Sequence, residues 1–557
     1  MNFWVLAGEL LEQKSEIMNK YLRFLIFFYF LIVIIKIILS FSVPYLVYIG
    51  DEVAYFQISR QITSGDFSFK LYGKPIFYPP LYSISILITG FIDKLIAVPM
   101  VKIINSFLST SIIFPVYFIS KEFFKKKDVI YSPILSVFIP ESFIYSFTIL
   151  SENLYYPMFI LTFYLFFKAL TNKDKKLDLL CGISLGLLIL TRAIGVVLLF
   201  TVFLVTLIKK KFFKKYRIFL FTFIILIPWF IHNIYTFGLS GLFGYSIEAT
   251  NLVTSYGIVL LELIKFGSFS LAYIIFGSGI LFFALTILLT KKNTNLKIYN
   301  FILIFLFVSI FNILISTIWS LSELASSNVQ PFSGIGNKIM GRYLSSITPL
   351  IFISGSIGFL YRYKKKEIIF SFIICYLFLS LLPINNLLSG FDQPSTWILW
   401  APMYLYNFSP ILIKMILIGS IFIFLIFINF FFQLKNAFLI TATFLIILCF
   451  VGTFSIHIAS LDSKDYNEFA IWIHKNFSSD ATIFIDKRAP GRQLTWLENS
   501  LIFWTENKII VGDIRNNTQS VDYVLSPNQL NLTLVTKLDA KEGMYKPLEE
   551  TVFMYKT

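Results

Sequence analysis

The sequence predicts an α-helical polytopic membrane protein that closes with a small α/β domain. Apolar residues make up 57% of the 557-residue chain and gather in runs of about twenty, enough to cross roughly 30 Å of hydrocarbon. Lysines fall in brief clusters between those runs, as membrane topology requires. From Asp462 onward the long apolar runs give way to short β-rich segments.

The same observations exclude other classes. A formal net charge of +16 does not signal nucleic acid here, because the lysines behind it sit at the ends of apolar runs. Cys181, Cys375 and Cys449 each lie inside an apolar run, so they offer neither a disulfide framework nor metal-ligand spacing. His232, His457 and His474 lack such spacing too. The first apolar run follows about twenty polar and mixed residues and has no small-residue cleavage site, so it is expected to remain as a helix.

Taken in order, residues 1–21 read as a cytoplasmic segment, since Lys14, Lys20 and Arg23 flank the first span, Leu22 to Val43. The loop 44–100 is then outside and carries Asp51 and Glu52. Within it, Tyr78-Pro79-Pro80-Leu81-Tyr82 opens an apolar run of about a dozen residues, too short to cross at about 1.5 Å per residue. It reads as an interfacial helix with proline in its first turn. Val101 to Ser120 is the second span, anchored inside by Lys121, Lys125, Lys126 and Lys127. Ile130 to Ser146 goes out and Leu154 to Leu170 returns. Leu179 to Ile208 has basic residues at both ends, so two short helices fold back at Thr191, Arg192 and Gly195, which places that turn outside.

The alternation continues through Ile218 to Tyr235, Leu271 to Thr290, Tyr299 to Ile318, Leu344 to Tyr361, Ile368 to Pro383, Ile411 to Phe432 and Phe438 to His457. The expected total is about thirteen helices with an extracytoplasmic C-terminus. Trp397, Trp400, Tyr404 and Tyr406 suit the headgroup region. The transmembrane domain is thus 22–458, and 459–557 is an extracytoplasmic α/β domain. Its helix runs through Tyr466, Phe469, Trp472, Ile473 and Phe477, and strands are expected at Thr482 to Ile485, Ile509 to Val511, Tyr523 to Leu525 and Leu532 to Val535. It has no Gly-rich phosphate loop, which argues against a nucleotide site. The chain shows no internal repeat, which weakens a transporter built from inverted halves.

Candidate site residues stand out by being on the costly side. Ionised groups at a membrane boundary are expensive unless paired, wetted or used, so Asp51 and Glu52 are either functional or solvated loop acids. Arg192 sits in an otherwise apolar hairpin, where its fork either binds a phosphate or carboxylate or snorkels to lipid headgroups. Arg342 with Tyr343 invites the same two readings, and Lys265 and Lys338 are further outer cations. Glu152 after Ser151 opens a span, where an acid also suits the helix dipole. His232 and Asn233 either meet a sugar hydroxyl or phosphate oxygen or cap a helix end near Trp229.

The order of several short words resembles the GT-C class of membrane glycosyltransferases, in the branch of protein O-mannosyltransferases and aminoarabinose transferases. These are Asp51-Glu52-x-x-Tyr55, Tyr78-Pro79-Pro80-Leu81-Tyr82, Ser151-Glu152-Asn153-Leu154, Gly182-x-x-x-Gly186 through Thr191-Arg192, Pro228-Trp229 with His232-Asn233, and Arg342-Tyr343 with Pro349. The resemblance implies the GT-C fold and transfer of a monosaccharide from a dolichyl- or undecaprenyl-phosphate donor, with inversion, at the outer face of the plasma membrane. The acceptor is a lipid-linked glycan, a protein or a polymer. The resemblance makes Asp51 the catalytic carboxylate and places Glu52, Tyr55, Glu152, His232 and Asn233 at the acceptor or donor sugar. Arg192, Lys338, Arg342 and Tyr343 would hold the donor phosphate. No cofactor is called for, and a divalent metal is left open. His232 departs from the pattern, since relatives often carry arginine there, and no Trp-Trp-Asp word points to an oligosaccharyltransferase. A lipid-glycan exporter without transfer chemistry is the alternative; it predicts charges deep in the membrane, where the sequence offers little beyond Lys36. A receptor reading of the C-terminal domain leaves Asp51, Glu52 and Arg192 unexplained.

Overall fold

The computed structural model describes the chain apart from residues 1–2, 48, 72–73, 77, 173, 239–259, 279, 291–294, 328–340, 362, 382–433, 479, 487–492, 506, 513–520, 527–529, 531 and 541–549. Among the described residues, six helices are long and apolar enough to cross a membrane: Lys20–Ser40, Lys94–Ser120, Glu152–Thr171, Tyr216–Phe237, Leu296–Ile318 and Lys435–Leu461. Two bent pairs raise that number to as many as eight, Lys127–Val137 with Pro140–Phe147 and Ile264–Ile275 with Ile280–Thr290. Four other expected spans correspond to shorter helices, Lys175–Thr191, Val196–Ile208, Thr348–Leu360 and Lys365–Leu381. The expected span Ile411 to Phe432 and the anchors Trp397, Trp400, Tyr404 and Tyr406 lie outside the described residues.

Three departures from the sequence reading have local causes. The span expected from Val101 begins at Lys94, because Asp93 does not interrupt the apolar run but caps a helix, its carboxylate accepting from the Leu95 N–H at 2.8 Å. The segment Ile130 to Ser146 is not straight: it bends by 63° before Pro140, which opens a new helix because it has no N–H to continue the old one. Leu271 to Thr290, expected as one span, is split after Gly277 into two helices that meet at 108°.

In chain order the elements begin with α1 (Phe3–Ser40), α2 (Ile49–Ser64), the two-residue strands β1 (Lys70–Leu71) and β2 (Lys74–Pro75), α3 (Leu81–Ser85), α4 (Lys94–Thr110), α5 (Ile113–Ser120), α6 (Tyr131–Val137), α7 (Pro140–Ile144), α8 (Glu152–Thr171), α9 (Lys175–Thr191), α10 (Val196–Ile208) and α11 (Tyr216–Phe237). The fold-back expected at Arg192 is present, since α9 ends there and a short 3-10 turn, Ala193–Gly195, leads into α10. Gly182 and Gly186 lie against α11, where a Cβ on Gly182 would stand 2.6 Å from the Ile218 carbonyl and one on Gly186 2.7 Å from Ile225 Cβ. Small residues four apart let the two backbones approach, as they do where lipid supplies no hydrophobic drive between helices.

The chain ends in a mixed five-stranded sheet of order β4-β3-β5-β7-β6, in which β3 (Thr482–Asp486) lies between parallel β4 (Lys508–Gly512) and β5 (Tyr523–Ser526). β7 (Glu550–Lys556) and β6 (Thr533–Ala540) join antiparallel. Helices Lys464–Asn476 and Gln493–Trp504 pack on it, the second of them, like β7, unmarked by the sequence patterns. Gly186→Val should lower thermal stability by about 1–3 kcal/mol through overpacking against α11, whereas Gly65→Asn, in open space at a left-handed φ, should cost less; differential scanning fluorimetry in detergent distinguishes the two.

Candidate active site

Asp51 and Glu52 occupy the first turn of α2, where carboxylates complement the helix dipole. Successive helical residues point about 100° apart, and the two acids accordingly meet different surroundings. Glu52 turns inward and accepts from the Val47 N–H at 2.7 Å and the Ile149 N–H at 2.9 Å, which ties the start of α2 to the chain just before α8. Its carboxylate, expected at the sugar, is buried and accepts from these two backbone amides.

Asp51 faces the charged cluster. The Tyr78 hydroxyl donates to one of its oxygens at 2.6 Å and Arg342 Nη1 donates to the other at 2.7 Å. Arg342 also stands 3.9 Å from Glu152, which forms a closer ion pair with Arg192. Two acids and two guanidiniums therefore alternate as Asp51, Arg342, Glu152 and Arg192. The Arg192 guanidinium lies 5.1 Å from the Tyr343 ring and donates to Ser151 Oγ at 3.4 Å, and Ser151 in turn bonds the Tyr55 hydroxyl at 2.7 Å. Tyr156 donates to the Arg342 carbonyl at 2.9 Å. The alternative readings of Arg192 and Glu152, a snorkelling cation and a simple helix-start acid, do not describe these buried, paired groups.

Burial alone would raise the Asp51 pKa; the Arg342 charge, the Tyr78 and Arg342 hydrogen bonds and the more distant Arg192 outweigh it and hold the carboxyl below its ordinary value. Burial likewise opposes charge on both arginines, but Glu152 beside Arg192 and Asp51 beside Arg342 more than offset it and raise both values. Burial pushes the Tyr55 phenol up, so it stays a neutral hydroxyl at physiological pH.

His232 and Asn233 belong to an adjoining patch. His232 Nε2 is 2.6 Å from the Phe67 carbonyl, its ring is stacked 5.2 Å from Trp229, and Nδ1 is 3.3 Å from Asn233 Oδ1. Phe69, at a left-handed φ of 45°, lies 4.7 Å from the same imidazole. His232 thus fastens the 67–69 turn of the first loop rather than meeting the charged cluster, and Tyr78 packs between the two groups. Lys338 lies outside the described residues. Sequence reasoning gave no role to Tyr78, although it heads one of the motif words, or to Ser151. It also passed over a buried triad, Glu141, Tyr273 and Ser345, joined by hydrogen bonds through the Tyr273 hydroxyl. Among the described residues, no group of three or more His, Cys, Asp and Glu could hold a metal ion.

Residues 73–235 match the family described as dolichyl-phosphate-mannose-protein mannosyltransferase. The chain carries that match over less than a third of its length. Its fold is similar to that of ArnT from Cupriavidus metallidurans bound to undecaprenyl phosphate, with a TM-score of 0.61 at 12% identity over 95% of this chain and 97% of that one. The apo structure of the same protein matches over the same shares at a TM-score of 0.57 and 12% identity. No curated protein matches the chain by sequence.

The acids of the cluster are not equally reachable, since the Asp51 side chain is 25% exposed and that of Glu152 only 1%. A group whose folded pKa is depressed adds stability above its unfolded pKa and loses it as pH falls through the folded value. Arg342→Gln removes the charge that keeps Asp51 low, so wild type should lose more thermal stability than this variant when taken from pH 6 to pH 3; equal losses in fluorimetry would refute the coupling.

Proposed function

We propose that this protein is a glycosyltransferase that moves a monosaccharide from a polyprenyl-phosphate donor to an acceptor hydroxyl at the outer face of the membrane, with Asp51 as the base. The observation that carries the reading is the pairing of an ionised, partly exposed Asp51 with a guanidinium 2.7 Å away. Each carboxylate oxygen has about two acceptor sites, so Asp51, bonded once at each oxygen in these contacts, keeps capacity for an incoming hydroxyl. The family match and the undecaprenyl phosphate held by a protein of like fold support a lipid-phosphate donor.

In the proposed step the acceptor oxygen bonds to the anomeric carbon on the face opposite the phosphate while its proton passes to Asp51. The bond from the anomeric carbon to the phosphate oxygen breaks, and polyprenyl phosphate leaves with the electron pair. The transition state is oxocarbenium-like, so the acceptor proton moves late and a weak base suffices. Charge growing on the phosphate calls for a guanidinium nearby. Arg342 fills that role, with Arg192 and Tyr343 behind it. A phosphate that draws Arg342 away from Asp51 also strengthens Asp51 as a base, so donor binding and proton acceptance are linked. Glu152 holds the two arginines, Tyr55 supports Ser151 beside them, and Glu52, His232 and Asn233 position α2 and its loop. The acceptor is a lipid-linked glycan, a protein or a polymer.

Asp51→Asn keeps the size of the side chain and one of its two acceptor oxygens but cannot take a proton. Transfer from lipid-linked sugars in membranes should fall by about 10²–10⁴-fold, with binding of undecaprenyl phosphate to the purified protein retained. Turnover near the wild-type rate would exclude Asp51 as the base. Transport of a lipid-linked sugar without transfer would favour the exporter instead.

A further inference from the structure

The C-terminal domain grips the loop that carries Asp51 at three places. At the start of the loop, Ser463 Oγ donates to the Leu46 carbonyl at 2.7 Å, and the Tyr45 hydroxyl donates to Glu468 at 2.5 Å. At its end, Lys94 donates to the Thr505 carbonyl at 2.8 Å and Asp93 stands 3.7 Å from His474. Between them, the Phe56 ring of α2 lies 4.9 Å from Phe503, which the helix Gln493–Trp504 presents.

The geometry of α2 gives this grip its meaning. On a helical wheel Asp51 and Tyr55 share one side, while Val53 and Phe56 lie about 150° away on the other. The first side meets Arg342, Tyr78 and Ser151. The second is in one apolar cluster with Tyr466, Phe469, Leu501 and Phe503. α2 is therefore wedged between the charged cluster and the C-terminal domain, and any change in the second contact turns or shifts the carboxylate in the first. An error of about 1 Å at a reacting group is enough to cost roughly 10²-fold in rate.

We propose that the C-terminal domain is a working part of the active site, with Phe503 the positioning residue that holds α2 so that Asp51 faces Arg342. The inference rests on reading Asp51 as the base, but its test requires no turnover. The probe is the infrared C=O band of the protonated Asp51 carboxyl, measured on the full chain in detergent and assigned as the band lost in Asp51→Asn.

In wild type the band should grow in with a midpoint below the ordinary carboxylate value. With Phe503→Ala its midpoint should rise by about one pH unit as α2 leaves the field of Arg342, and Phe503→Leu should restore most of the difference. Ile509→Ala, which loosens the edge strand of the same domain, should leave the midpoint where it is. A wild-type midpoint in Phe503→Ala, or an equal rise in Ile509→Ala, overturns the proposal. If Phe503→Ala does not fold, Ser463→Ala replaces it, with a rise in the midpoint in favour and no change against. Normal transfer by Asp51→Asn would defeat the catalytic reading while leaving this measurement to decide the positioning one.

Discussion

The ion pair between Arg342 and Asp51, extended through Glu152 to Arg192, is the contact around which the charged end of the helical bundle is built. Its members come from α2, the first turn of α8, the break between α9 and α10, and the short helix Gly341–Leu344. None of these charges would be tolerated alone beside lipid. Together they sum to zero, and each guanidinium lies between or beside carboxylates, so burial is offset by attraction at short range. Removing one partner from such a buried set leaves an uncompensated charge, at a cost of about 3–5 kcal/mol, which makes the four elements interdependent. The short helix holding Arg342 is fixed further by Tyr156 on its carbonyl and by Ser345 in the triad with Tyr273 and Glu141.

Two carboxylates one residue apart do different work here because a helix turns them into different media. Glu52 accepts from the backbone amides of Val47 and Ile149, and so it behaves as a structural link between α2 and the approach to α8. Asp51, at the edge of the same helix, accepts from a phenol and a guanidinium and keeps contact with solvent. Accessibility thus separates the reactive candidate from its neighbour. Glu152 makes the same point from the other direction: it sits in the same field as Asp51 but is sealed, and the arginines are what it touches.

Much of the membrane topology was legible because length and lysine placement obey bilayer physics whatever the tertiary structure. The fold-back at Arg192 and the non-spanning Tyr78–Ile92 run were both readable in this way. Asp93 and Lys94 were misleading, because a charged pair looks like the end of an apolar run whether it interrupts a helix or caps one. The bend before Pro140 and the split after Gly277 depend on packing and were not visible. For the site, Asp51, Glu152, Arg192 and Arg342 could be picked out singly as charges in costly places. Their pairing spans separations such as 291 residues between Asp51 and Arg342, and no local pattern in one sequence encodes that. Tyr78 stands in a motif word, but the carboxylate that its hydroxyl meets lies 27 residues away and is set by the fold of the loop.

The buried lysines give the last step, because their contacts bear on the exporter alternative. A path for a charged headgroup would place titratable groups along a wet route through the bundle. Lys36 instead donates to Ser109 Oγ at 2.8 Å and to the Ser142 carbonyl at 3.2 Å, with the Phe143 ring 5.2 Å away. Lys102 donates to the carbonyl of Val43. Both amines are spent on joining α1 and its exit to α4 and to the bend at Pro140, the framework on which the first loop stands. Charge in this part of the bundle serves to brace the loop that carries Asp51, and that loop is braced again from the far side by the C-terminal domain. A transport path must open and close, whereas a carboxylate that has to meet a hydroxyl at a fixed angle benefits from being held on both sides.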